Sequence, residues 1–161
     1  MQILQVNTPE QLKEIKNLFL EYAKSLDFDL GFQNFQNELA DLPGKYALPS
    51  GSLLMAEEDG KVAGCVGLRK ISTGICEMKR LYIRPEFRGR GLGKALAFAI
   101  IEVAFNMGYR KMRLDTVATM KEAVRLYRHL GFYEIDAYCF NPIKEAIYME
   151  LNLSQRIDKH P

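Results

Sequence analysis

The chain is poor in the residues that build metal and disulfide sites. Its cysteines are Cys65, Cys76 and Cys139, three among 161 residues. The number is odd, the spacings are wide and no CxxC pair occurs. That argues against a disulfide framework or a zinc site, and for a reducing compartment. Only two histidines are present, one of them His160 next to the C-terminus. With no HExxH motif and no Cys/His cluster, no metal is expected. An excess of one charge is missing as well. The formal net charge of +2 is too small to argue for nucleic acid or an anionic membrane, so any anion site must come from local placement of charge. No apolar run reaches the ~20 residues that span a bilayer. The opening MQILQVNTPEQLKEI lacks the basic start and apolar stretch of a signal peptide. A soluble, cytoplasmic protein is expected, with neither nucleic acid nor membrane as partner.

What is present suits one folded domain. Apolar residues make up 48% and charged residues 26%, enough for a core and a solvated surface. We place the domain at 1–152 and a polar tail at 153–161, frayed from Asn152. Ile3 to Val6 reads as a short strand. Thr8-Pro9-Glu10-Gln11 then has the form of a helix start, with Thr8 as cap, and Leu12, Ile15, Phe19, Tyr22 and Leu26 continue at helical spacing. A second helical pattern covers roughly 32–42 and stops at Pro43-Gly44. Strands are expected at 52–56, 62–68 and 77–83, joined by turns at Asp59-Gly60 and Ser72-Thr73-Gly74, as an antiparallel meander. After Pro85 the period is helical, from Leu92 to Met107. A strand at 111–117, a helix at 120–130 closed by Gly131, and two strands at 132–140 and 146–151 complete a mixed α/β domain.

The segment Arg88-Gly89-Arg90-Gly91-Leu92-Gly93 carries the strongest chemical signal. A strand ends at Ile83 and a long helix begins near Leu92. Glycines allow a sharp turn and close approach of a ligand. The first amides of a helix have no internal acceptor and lie at the positive end of its dipole, which favours phosphate. Arg88, Arg90 and Lys94 add positive charge. A phosphate or pyrophosphate site is predicted; the plainer alternative is a strand-to-helix turn with solvated arginines. A Walker A reading fails, because it needs glycine at Arg88 and a hydroxyl at Ala95. The dinucleotide pattern GxGxxG meets Lys94 where its third glycine belongs. Asp115 does fall about 20 residues on, where a ribose-binding acid would sit, so nicotinamide dinucleotide binding stays open as an alternative.

The spacing Arg88-x-x-Gly91-x-Gly93 after an apolar strand resembles the acetyl-coenzyme A motif of the GNAT superfamily of N-acetyltransferases. Ala123 to Phe132, AVRLYRHLGF, resembles that family's second signature, A-x-x-LY-x-x-x-GF. The element order is similar from Ile3 to about Leu151. The resemblance implies a mixed, mostly antiparallel central sheet with helices on both faces, and acetyl-coenzyme A as co-substrate. It implies a pantetheine arm bonded by the backbone of Leu81, Tyr82 and Ile83, in a cleft between that strand and 111–117. It implies a pyrophosphate held by the amides of Gly89, Arg90, Gly91, Leu92, Gly93 and Lys94, aided by Arg88. It implies that Tyr127 reaches the cofactor sulfur. The acceptor would be a primary amine of a small molecule, amino acid or peptide, and homodimers are common in similar proteins. Where such proteins often carry Asn, three residues before the signature alanine, this chain has Met120.

Acetyl transfer to an amine needs a base, a donor for the oxyanion and a group that stabilises the departing thiolate. Glu77 is the first candidate base and Asp115 the second; the plainer reading of Glu77 is a surface carboxylate paired with Lys79 or Arg80. A backbone N–H near Leu81 is the expected oxyanion donor. Tyr127 is the candidate for the thiolate, or else a core tyrosine on the face of Val124 and Leu130. With ordinary pKa values near 10 for tyrosine and 8.5 for a thiol, full proton transfer is uphill by about 2 kcal/mol, so hydrogen bonding suffices. Cys76 faces away from Glu77, and all three cysteines read as packing residues. The acceptor pocket is expected from the first two helices and the loop from Tyr138 to Ile143. Phe28, Phe32 and Phe35 with Asp27, Asp29 and Glu38 would suit a cationic amine, or would simply be an amphipathic helix pair on the sheet. A domain that senses acyl-coenzyme A without turnover is the competing function.

Overall fold

A computed structural model describes residues 1–155. Strand β1 (Gln2–Gln5) leads to helix α1 (Pro9–Ser25), then a 3₁₀ turn (Leu30–Gln33) and helix α2 (Phe35–Asp41). The meander β2 (Ser52–Glu58), β3 (Lys61–Ser72) and β4 (Ile75–Ile83) comes next, then α3 (Leu92–Asn106), β5 (Lys111–Val117), α4 (Lys121–His129), β6 (Tyr133–Ile135) and β7 (Ala146–Asn152). The seven strands form one sheet in the order β1-β2-β3-β4-β5-β7-β6. Its pairs are antiparallel except β4 with β5, which is parallel.

Local chemistry accounts for most boundaries. Thr8 caps α1 in a capping box: its hydroxyl accepts from the Gln11 amide at 3.1 Å and its own amide donates to the Gln11 side chain at 3.1 Å. The hairpin at Asp59-Gly60 has φ of 52° and 77°, as a tight two-residue turn demands. The helical pattern at 32–42 proves to be broken. Asn34 adopts a left-handed φ of 59°, so a 3₁₀ turn and a short helix replace one continuous helix. The strand expected at 132–140 stops at Ile135, and 136–145 runs as irregular chain. At the other end β7 includes Asn152, and Leu153 is fully buried with its amide on the Arg110 carbonyl at 2.8 Å. The expected fraying therefore does not begin at Asn152. The rest of the expected tail, 156–161 with His160, lies outside the described residues.

The sheet is covered on both faces. On one side α3 packs Leu96, Ile100 and Ile101 onto Val66, Leu68, Met78 and Met112. On the other, Ile15, Leu18 and Phe19 of α1 pack with Leu30 and Phe35 onto Met55, Cys65 and Tyr82. Alternation along each strand explains the division, since neighbours such as Cys65 and Val66 point to opposite faces. Each fully buried aliphatic or Phe side chain contributes about 1.5–3 kcal/mol of transfer free energy. Cys65 and Cys76 are core residues, but Cys139 is exposed on the irregular segment, so only two cysteines pack. Among the described residues no helix is long and apolar enough to cross a membrane.

Two irregularities in β4 open the sheet and aim charge into the opening. The strand pairs with β5 only from Ile75 to Glu77, against Lys111 to Arg113. Beyond that the strands diverge and leave a cleft inside the sheet. Opposite β3 the register shifts between Cys65 and Gly67, and Arg80 takes a left-handed φ of 61°. The extra residue turns Lys79 and Arg80 toward one face, where both side chains bond Gln33. Gly67 lies across from the shift; a Cβ there would come within 2.7 Å of the Tyr46 ring.

Candidate active site

The cleft opens into a groove of about 680 Å³. Its floor is Leu81, Tyr82 and Ile83, one end is Arg88, Gly89, Gly91, Leu92 and Gly93, and the far wall is Thr119 to Ala123. Gly89 and Gly91 both have φ of 79°, the left-handed region that side chains disfavour. The first backbone bond into α3 runs from the Ala95 amide to the Gly91 carbonyl, 3.1 Å. The amides of residues 89 to 94 therefore have no backbone acceptor among the described residues and gather at the positive end of a 15-residue helix. The arginines are arranged differently from the amides. The Arg88 Nε donates to the Ile83 carbonyl at 2.9 Å and its guanidinium lies 5.7 Å from the Tyr82 ring centre. That bond engages the Ile83 carbonyl from within the chain. Arg90 sits over Phe87 at 5.6 Å. Neither Arg90 nor Lys94 lines the groove; their amides belong to the run of unpaired donors beside its end.

A second, smaller cavity of about 80 Å³ lies deeper in the cleft, toward α1 and the 3₁₀ turn. It shares Tyr22, Phe28, Leu81, Met120 and Ala123 with the groove, so the two spaces meet there. Its polar lining is Gln33, Lys79, Arg80, Asp115, Thr116, Tyr127 and Asn141. Arg80 makes a bidentate pair with Glu38 of α2, Nε at 3.0 Å and Nη2 at 2.9 Å, and donates through Nη1 to Gln33 at 2.7 Å. The Lys79 ammonium reaches Gln33 at 3.1 Å and Asp115 at 3.4 Å. Burial pulls the Lys79 pKa below its ordinary value, opposed by the nearby carboxylates of Glu77 and Asp115. Asp115 also accepts from Asn141 Nδ2 at 3.0 Å.

Glu77 stands just behind this cavity and does not line it. Its carboxylate is occupied by Arg69 Nε at 2.8 Å and the Tyr138 hydroxyl at 2.5 Å. Glu77, Asp115 and Cys139 each place a ligand atom within 4.8 Å of the others. Both carboxylates are already satisfied by cations and hydroxyl or amide donors, which is poor chemistry for a metal. Cys76 points to the opposite face, into the α3 core, and burial pushes its thiol up to about 12.

Tyr127 lines the smaller cavity beside its junction with the groove. Burial holds its hydroxyl well above the ordinary tyrosine value, so it stays protonated at neutral pH. Asp115 lines the smaller cavity and not the groove, which removes the ribose-binding role that a dinucleotide enzyme needs. Met120 lines the junction and meets the Thr116 hydroxyl through sulfur at 3.8 Å. Of the acids expected near the acceptor, Glu38 is bound to Arg80 and Asp29 caps the Gly31 amide at 2.6 Å, while Asp27 lines the groove. Sequence reasoning reached Gln33 and Asn141 only as members of segments expected to shape the acceptor pocket, and Lys79 and Arg80 only as surface partners for Glu77. The one available signal was the pair Lys79-Arg80 in a strand whose other residues, Glu77 apart, are apolar, a costly position for charge unless it is paired.

The chain matches the family model described as Acetyltransferase (GNAT) family over residues 12–132. It is 43% identical over 152 residues to an uncharacterised N-acetyltransferase of Schizosaccharomyces pombe, covering 93% of each chain. Among solved structures, an acetyltransferase of the GNAT family from Staphylococcus aureus superposes with a TM-score of 0.78 at 19% identity, covering 94% of this chain and 98% of that one. A protein from Salmonella typhimurium, solved with its cofactor acetyl-CoA, superposes at 0.69 and 19% identity, covering 96% and 94%. Glycine loop, split sheet and second signature thus stand together in one chain, and this protein belongs to the GNAT family of acetyltransferases.

Proposed function

We propose that this enzyme moves the acetyl group of acetyl-coenzyme A directly to a primary amine of a small molecule, amino acid or peptide. The observation that carries the reading is the meeting of two unlike spaces at Leu81 and Tyr22. One is a long groove ending at unpaired helix amides; the other is a small polar cavity holding a buried carboxylate. The relative solved with acetyl-CoA supports the choice of donor. The amides of residues 89 to 94 would hold its pyrophosphate, and the unpaired edge of β4 at Leu81, Tyr82 and Ile83 would bond its pantetheine as an added strand does.

Acetyl-coenzyme A supplies an activated thioester carbon to the junction. Asp115 takes the proton of the incoming ammonium, leaving a lone pair for attack on that carbon. A backbone N–H of β4 near Leu81 holds the charge that develops on the carbonyl oxygen. Tyr127 donates a hydrogen bond to sulfur as the carbon–sulfur bond breaks. Glu77, the first candidate from sequence, acts behind Asp115 by fixing Arg69 and Tyr138. A free-thiol release assay across an amine panel tests the reading. Thiol release matched by N-acetylated product is expected; tight coenzyme binding with no turnover on any amine would instead make this a sensor of acyl-coenzyme A.

A further inference from the structure

The smaller cavity places two adjacent cations, Lys79 and Arg80, against one lining carboxylate, Asp115. Their partners balance the charge only while the cavity has no occupant. Arg80 is neutralised by Glu38 behind the wall, and Lys79 by Asp115 at 3.4 Å. The second contact is long for a charge-assisted bond, whose usual range is about 2.7–2.9 Å. Lys79 and Asp115 are 5% and 2% exposed, so neither borrows much from solvent. The Lys79 ammonium has three N–H groups, and two partners are present, Gln33 and Asp115.

Binding an amine changes this balance. Once Asp115 engages the acceptor's ammonium, Lys79 loses its counterion in a buried place. An uncompensated buried charge is costly. An acceptor carrying its own anion restores the balance, and a purely cationic amine does not. Gln33 and Asn141 beside Asp115 are neutral, and the nearby Glu77 is already paired with Arg69 at 2.8 Å, so none of them substitutes. With Arg69 and Arg80 paired to Glu77 and Glu38, and Lys79 to Asp115, the charges around Lys79 sum to zero, and a net-neutral ligand keeps that sum.

From this we infer that the acceptor is a zwitterion: an amine whose own carboxylate is held by Lys79 beside Arg80, while its ammonium meets Asp115. This rests on the acetyltransferase reading and adds the substrate class. Free amino acids and related aminocarboxylates fit. Polyamines, and amines stripped of the acid, do not.

The test uses wild-type enzyme, saturating acetyl-coenzyme A and matched acceptors: free amino acids, their carboxamides, and the decarboxylated amines, with spermidine alongside. Masking or removing the carboxylate should lower kcat/KM at least tenfold for each matched set, which is about 1.4 kcal/mol. Equal turnover of amide and acid, or preference for spermidine, would overturn the inference and leave the acetyltransferase intact. Thiol release with none of these amines, despite coenzyme binding, would overturn both. Lys79→Met supplies a second readout. It should erase the preference for the acid over the amide while the KM for acetyl-coenzyme A stays unchanged. A folded Lys79→Met enzyme that keeps the preference would remove Lys79 from the assignment.

Discussion

The two spaces that meet in the cleft are built by opposite means. The groove uses backbone: six amides of one continuous segment, residues 89 to 94, and the free edge of one strand. Polar side chains such as Asp27, Arg88, Lys121 and Glu122 also line it, while Arg90 and Lys94 do not. The smaller cavity uses side chains from places far apart in the chain, including Gln33, Lys79, Asp115, Tyr127 and Asn141, held by paired charges. A backbone site barely depends on side-chain identity, so it tolerates change in sequence. A side-chain site is free to differ from one relative to the next.

The contrast can be broken from either side. The largest effect is expected from Arg80→Met, which strands the Glu38 carboxylate. Removing one partner of such a buried pair costs about 3–5 kcal/mol, so melting should drop by about 10 °C for a chain of this size. Coenzyme affinity of the folded fraction should change little, and a parallel loss of both would show that the two spaces are one unit. Tyr127→Phe should come next. Turnover is expected to fall ~100-fold, about 2.7 kcal/mol, with acetyl-coenzyme A affinity nearly unchanged by calorimetry. Wild-type turnover in that variant would remove Tyr127 from the chemistry.

Gly91→Val acts on the groove alone. A side chain at φ of 79° costs roughly 1–2 kcal/mol, and bending away from that angle misplaces the amides. Coenzyme binding should weaken about tenfold, whereas the preference among acceptors should hold. The smallest effect is in pH. Burial raises the pKa of Cys65, Cys76 and Tyr127. Folded, these groups keep protons that the unfolded chain begins to lose near 9.0 for thiols and 10.0 for tyrosine. Their contribution is complete below pH 9 and declines as pH rises toward about 12, the Cys76 value. Lys79, shifted down, works in the opposite sense as pH approaches its ordinary 10.5. The net is a shallow fall in melting temperature above about pH 9, which a pH series of thermal melts would measure.

Legibility followed the same division. Thr8 and Gln11 announced α1, Asp59-Gly60 announced its hairpin, and the glycine loop announced the groove, because each acts through neighbours in sequence. The break at Asn34 was hidden, since apolar spacing continues across it. The short β6 was hidden too, since the apolar and aromatic residues beyond Ile135 turn to the irregular segment that brings Tyr138 to Glu77 and Asn141 to Asp115. Glu77 looked like a surface acid or a base and is neither exposed nor on the cavity wall. Arg69, eight residues earlier, takes its charge across a hairpin, a pairing fixed by the register of β3 on β4. Nothing in the spacing of Lys79 and Arg80 tells that a left-handed residue will swing both to one side.

The parting of β4 from β5 also bears on how the molecule avoids its own kind. Unpaired strand edges invite other strands and seed aggregation, and such edges usually lie on the rim of a sheet. Here one runs through the middle, with sheet to either side and helices over both faces. It is reached only through the groove along Leu81 to Ile83, so it is less available to a neighbouring strand than an edge on the rim would be.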